Sequence, residues 1–230
     1  MKRALVAMAL AAALALPASA SARVVELGAG STQTAKSNCP GNPCRAVYQV
    51  TGYQGRSANL KNPFYIRRDG YLVAFTITLP ELADNQVDSF NARFGGAPSV
   101  RLATVKHGTT RKTRLNHRLL RQSPVFEVED YFGSSPTFVL QEPLRVRRGN
   151  IVALTVPTWL PSLAADLPGG NWWRSSRVKG KCGSDDALAP PSAMEELREI
   201  VRWGCTYKGA RLLYTATYVP DPRPTKTDEN

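Results

Sequence analysis

Six residues between positions 159 and 177 have the chemistry of a ligand site: Trp159, Asn171, Trp172, Trp173, Arg174 and Arg177. Indole rings offer broad, rigid apolar faces, and amide or guanidinium groups beside them can bond hydroxyls and anions, which is how sandwich proteins hold sugars. The competing use of a tryptophan is core packing. In an extended segment side chains alternate, so one of Trp172 and Trp173 must point inward. Trp203 is expected to pack near Cys205.

Signals for catalysis are sparse. Glu127 and Glu129 flank Val128, so on a strand both carboxylates leave one face roughly 6–7 Å apart, within the range a two-carboxylate glycosidase needs. Jelly-roll glycosidases of the laminarinase type carry Glu, Asp and Glu at alternate positions. Here the series is Glu127, Glu129, Tyr131, so the middle residue differs and the third carboxylate is missing. The two histidines, His107 and His117, fall in basic segments and are expected to face solvent. Neither a Gly-x-Ser-x-Gly elbow nor a His-Glu-x-x-His pair occurs. No catalytic residue, metal site or cofactor is expected.

Four cysteines, Cys39, Cys44, Cys182 and Cys205, contain no Cys-x-x-Cys pair, which disfavours zinc. Proximity in sequence favours Cys39 with Cys44 and Cys182 with Cys205. The first would close over Pro40-Gly41-Asn42-Pro43, a turn-forming stretch. Disulfides imply an oxidising compartment, and the N-terminus agrees. Met1-Lys2-Arg3, an apolar run from Ala4 to Leu16 and the small residues before Ala20 and Ala22 read as a signal peptide over residues 1–20. The run is shorter than the ~20 residues that span a bilayer, so no transmembrane anchor is expected.

Removal of Lys2 and Arg3 leaves 28 basic against 18 acidic residues, a formal +10. For an exported chain the expected partner is polysaccharide or an anionic cell-wall polymer rather than nucleic acid. The excess also fits arginines that merely solvate strand faces.

These residues must be positioned by strands. Two stretches, residues 62–77 and 142–156, align as Pro, an apolar residue, Arg-Arg, Gly and a β-rich run. Each is expected to form a hairpin, with Val73, Phe75 and Ile77 facing Val152, Leu154 and Val156 across a sandwich core. Further strands are predicted over residues 46–51, 99–105, 115–122, 125–128 and 211–219. A short helix is predicted within residues 81–94. Residues 193–202 could be helix, since Ser192 and Glu195 have capping-box spacing, or part of a strand over residues 200–207. Residues 157–191 are expected to be a long tryptophan-bearing loop. The expected fold is all-β: one jelly-roll-like antiparallel β-sandwich over residues 39–219 with both disulfides and at most one or two short helices. A flexible N-terminal arm (21–38) and a disordered tail (220–230) flank it.

The Cys-Pro-Gly-Asn-Pro-Cys knot, the two Arg-Arg-Gly stretches and the ending Gly204-Cys205-Thr206-Tyr207 through Ala216 resemble a family of uncharacterised secreted bacterial proteins. The resemblance spans residues 39–220 and implies no activity. In architecture the chain is similar to the jelly-roll domains of lectins and carbohydrate-binding modules, an analogy of fold alone. The expected function is thus a secreted, non-catalytic β-sandwich that binds a cell-wall or matrix glycan through the loop tryptophans and arginines. The alternatives are a structural or interaction domain with a basic surface, and a glycoside hydrolase using Glu127 and Glu129.

Overall fold

A computed structural model describes residues 23–31, 33–183 and 189–222. The expected signal peptide and residues 223–230 of the expected tail lie outside the described residues. In chain order the strands are β1 (Val25–Leu27), β2 (Val47–Ser57), β3 (Leu60–Lys61), β4 (Gly70–Ile77), β5 (Ser99–His107), β6 (Asn116–Gln122), β7 (Phe126–Glu127), β8 (Thr137–Val146), β9 (Ile151–Leu160), β10 (Leu163–Ala164), β11 (Trp172–Ser175), β12 (Ile200–Arg202), β13 (Cys205–Lys208), β14 (Arg211–Leu212) and β15 (Tyr214–Pro220). The one α-helix among the described residues, α1 (Asp84–Phe94), ends at Gly95 in the left-handed conformation, which the missing Cβ makes accessible.

Among the described residues two antiparallel sheets pack as a jelly-roll-like sandwich, and β10 and β14 pair as a separate two-stranded ribbon. The small sheet runs β1-β15-β4-β8, and the large one β12-β6-β5-β9-β2-β11-β13. Phe75 and Ile77 from the small sheet and Val152, Leu154 and Val156 from the large one share one buried core. Burial of that apolar area is the main drive for the two layers to close. Both disulfides are present, Cys39 with Cys44 and Cys182 with Cys205.

The two repeated stretches are not hairpins. In the second, β8 pairs with β4 in the small sheet while β9 pairs with β2 and β5 in the large one. Its Arg147-Arg148-Gly149 turn therefore crosses between layers. In the first copy residues 64–66 run along the start of β9, through Ile66 N–H to Asn150 O (2.9 Å) and Val152 N–H to Phe64 O (2.9 Å), before the chain crosses to β4. The copies are two arches of opposite sense. Each strand arm pairs with the other copy rather than with its own, so both Arg-Arg corners lie at one end of the sandwich.

Val73 departs from its expected place. Opposite β15, Thr217 pairs with Ala74 and Tyr218 with Leu72, which leaves Val73 as an extra residue in β4, so Leu72 and Phe75 both face the core while Val73 is half-buried. At a register shift between Tyr48 and Val50, Gln49 (φ 41°) stands against two residues of β9, Pro157 and Thr158, and both Val47 and Val50 are buried.

Three irregular segments are more ordered than expected. Val25–Leu27, within the predicted arm, forms the edge strand of the small sheet. Asp221, in the predicted tail, makes a bidentate pair with Arg145 at 2.7 and 2.8 Å. Within residues 157–191, β9 continues to Leu160, and β11 joins the large sheet between β2 and β13. Residues 193–202 contain no helix; the alternative strand reading holds as β12 and β13. Met194 and Trp203 instead cover the outer face of the large sheet, where they make a second core with Tyr53, Val105, Leu119 and Ile151.

Candidate functional site

At the β2-β11-β13 end of the large sheet a cleft of about 670 Å³ opens. Its walls come from β2, α1, the end of β10, β11 and β13, and from both disulfides through Cys44 and Cys182. Its aromatic side is a chain of contacts. Phe90 and Phe94 lie 5.8 Å apart on α1, and Phe94 stacks on Tyr48 at 4.3 Å. Across the sheet the directly opposed Trp173 and Tyr207 stack at 4.2 Å.

Arg177 joins the two groups. Its guanidinium lies 4.4 Å from the Tyr48 ring centroid, donates from Nη2 to the Tyr48 carbonyl (2.7 Å) and from Nη1 to the Tyr207 hydroxyl (3.1 Å). The Tyr207 hydroxyl in turn donates to the Cys182 carbonyl at 2.6 Å. Arg177 is only 4% exposed, and its Nε is buried without a hydrogen-bond partner. None of the ion pairs among the described residues involves it. An uncompensated buried charge costs on the order of several kcal/mol, and a desolvated cation–π contact returns about 2 kcal/mol. Its two hydrogen bonds, worth about 1.5–3 kcal/mol each for a charged donor, offset most of the rest, and no carboxylate among the described residues pairs with it.

Other charges stand at the rim. Arg93 and Lys208 are exposed. Asp166 is the one carboxylate among the described lining residues, and it pairs with Arg45 at 3.6 Å while itself 82% exposed.

Of the six predicted residues, the cleft gathers Trp173 and Arg177. The other four lie elsewhere. Trp159 is wholly buried on β9, not in a loop; its Nε1 donates to Asn91 Oδ1 (3.0 Å) and the Gly96 carbonyl (2.9 Å). Asn171 is also buried and acts as a structural tie, donating to Gln33 Oε1 (2.6 Å) and Pro168 O (3.1 Å) and accepting from Ala58 N–H (3.2 Å). Trp172 points to the opposite face of β11 from Trp173 and lies across Gly55, where any Cβ would overlap its ring. Arg174 follows it to that face, 5.8 Å from the Trp172 ring, and donates from Nε to Thr206 Oγ1 (3.3 Å). Strand alternation divides the quartet.

The paired carboxylates separate as well. β7 ends at Glu127, and a 3-10 turn starts at Glu129, so the two do not share a strand face; both are exposed. His117 is not solvent-facing. It is buried, stacks on Trp203 at 4.2 Å and hydrogen-bonds the Leu115 carbonyl through Nδ1 (2.9 Å), with Nε2 unpartnered. Burial first, then the charges of His107 and Arg174, lower its pKa to about 4 against the opposing pull of the Leu115 carbonyl.

Sequence reasoning missed Tyr48, Phe90, Phe94 and Tyr207. Tyr48 stands in the predicted first strand and Phe90 and Phe94 in the predicted helix, but only the fold brings them beside Arg177. Comparison with protein-family models, curated proteins and solved structures finds no match to the chain.

Proposed function

We propose that this protein is an exported, non-catalytic binding module of the secreted bacterial sandwich type, and that its cleft takes an acidic saccharide bearing a carboxylate. The observation that carries this reading is Arg177, a buried guanidinium without a carboxylate partner among the described residues, which lines a cleft of about 670 Å³. A carboxylate entering there would accept a charge-assisted bond from the fork and offset the cost of the buried cation. Half-buried Tyr48, Phe90 and Tyr207 supply ring surface for the sugar. Export fits two closed disulfides.

Retention on immobilised polygalacturonate against neutral galactan tests the proposal. Wild type should hold to the acidic polymer, and Arg177→Met should weaken it at least tenfold, about 1.4 kcal/mol. Arg177→Lys keeps the charge but loses the fork and should weaken it about fivefold; it serves if the Met variant misfolds. Equal retention on galactan, or wild-type binding by a folded Arg177 variant, overturns the reading.

A further inference from the structure

We propose a second ligand site, independent of the cleft, where the two arch corners meet: a groove that binds sulfate or phosphate ester groups of an anionic polymer. The groove, about 580 Å³, is lined by Arg67 from the first arch, Arg148 from the second, and Lys106, His107 and Thr109 from the end of β5 and the turn after it.

The fold forces these cations together. Ile66 bonds the turn just before β9, accepting from Gly149 N–H and donating to Asn150 O, both 2.9 Å. Val105 pairs with Ile151, which brings the end of β5 to the same corner. Like charges so close repel, and a lone basic surface would normally seed carboxylates among them.

The carboxylates of Asp69 and Asp221 are taken up by the Arg148 backbone and the Arg145 guanidinium rather than by the groove's cationic groups. Asp69 Oδ1 accepts the Arg148 backbone N–H (2.8 Å), and Asp69 Oδ2 lies 3.8 Å from Arg145. Asp221 takes the Arg145 guanidinium as a bidentate pair. Arg67, Lys106 and Arg148 appear in none of the ion pairs among the described residues. Arg67 is steadied by the Tyr65 ring, 5.3 Å from its guanidinium carbon, so its planar fork is partly pre-oriented.

Three cations approaching one space from three chain segments suit a group that presents oxygens in several directions. A tetrahedral sulfate or phosphate does so, whereas a single carboxylate presents two oxygens in one plane. Exposed cations acting through solvent also imply binding that falls steeply with salt.

The test titrates inorganic sulfate and inorganic phosphate into the full chain while its backbone amides are followed by NMR. It then measures binding to dextran sulfate, polyphosphate and polygalacturonate, for wild type and for the double variant Arg67→Gln/Arg148→Gln. Shifts should concentrate on residues 105–109 and 147–150, and the double variant should bind dextran sulfate or polyphosphate at least tenfold more weakly. Preference for one polymer identifies sulfate or phosphate as the source; binding of both supports the shared chemistry. Both positions are exposed, so unchanged far-UV circular dichroism and polygalacturonate retention should accompany the loss. Undiminished binding by a folded double variant, or equal shifts of the same amides by polygalacturonate, overturns the proposal.

Discussion

In the cleft a single guanidinium is buried among rings, at 4% exposure, with two of its nitrogens bonded and the third left over. In the groove between the arches three cations stand toward solvent with no carboxylate paired to them. The same residue type is used in opposite ways. Burial makes one charge strong and selective because its field is unscreened, while exposure makes several charges additive but screened. Raising salt from 50 mM to 0.5 M should therefore weaken polymer binding at the groove far more than uronate binding at the cleft.

The largest effect should fall on both regions at once. Leu154 lies in the core between the sheets at 2% exposure, on the strand whose start carries the groove. Leu154→Ala should cost about 4 kcal/mol, measured by urea denaturation, and weaken both sites. Loss at one site alone would mean that they do not share this core.

Reduction should then separate them. Cys182 lines the cleft and closes a loop of sequence separation 23 with Cys205, for which chain entropy predicts about 3 kcal/mol. A Cys182→Ala/Cys205→Ala variant should lose that much stability and most uronate binding, yet retain sulfate-induced amide shifts. The groove contains no cysteine among its lining residues.

Acid should act from the other side of the large sheet. In the folded protein His117 stays neutral down to about pH 4, because burial lowers its pKa from 6.5. The unfolded chain takes up that proton first, so stability is intact above about pH 6.5 and falls as pH drops toward 4. The loss is on the order of 3 kcal/mol. Denaturation midpoints between pH 7 and pH 4 should show this slope, and His117→Phe, which keeps a ring against Trp203, should flatten it. An unchanged slope in His117→Phe would place the acid sensitivity in other groups.

The layers of the sandwich were legible in the sequence because alternation picks out Phe75 and Ile77 in one copy and Val152, Leu154 and Val156 in the other, the residues that meet between the sheets. The connection between them was not. A strand, an Arg-Arg-Gly turn and a second strand read alike whether the arms pair with each other or cross between sheets, since only the partner strands distinguish hairpin from arch. Bulges at Val73 and Gln49 shift a face by one residue and leave no sign in hydropathy. The cleft was half legible. Trp173 and Arg177 were visible by type, but Tyr48, Phe94 and Tyr207 come from three distant elements. His117 was misjudged because its neighbours in sequence are basic, while its neighbours in space, Tyr53 and Trp203, are aromatic.

The smallest expected effect belongs to the residue that most resembled a sugar platform. Trp172 lies over Gly55 on the face of β11 opposite the cleft and is half-buried, so Trp172→Ala should cost about 1–2 kcal/mol of stability and leave uronate affinity within about twofold. Its neighbour Trp173 is 3% exposed and stacked on Tyr207, so Trp173→Ala should disturb the cleft wall and weaken binding severalfold. Affinity measured for the two single variants decides which face of one four-residue strand does the recognition. If Trp172→Ala abolishes binding while folded Arg177→Met keeps it, the ligand sits on the outer face beside Arg174, and Arg177 is only a tie between β2 and β13.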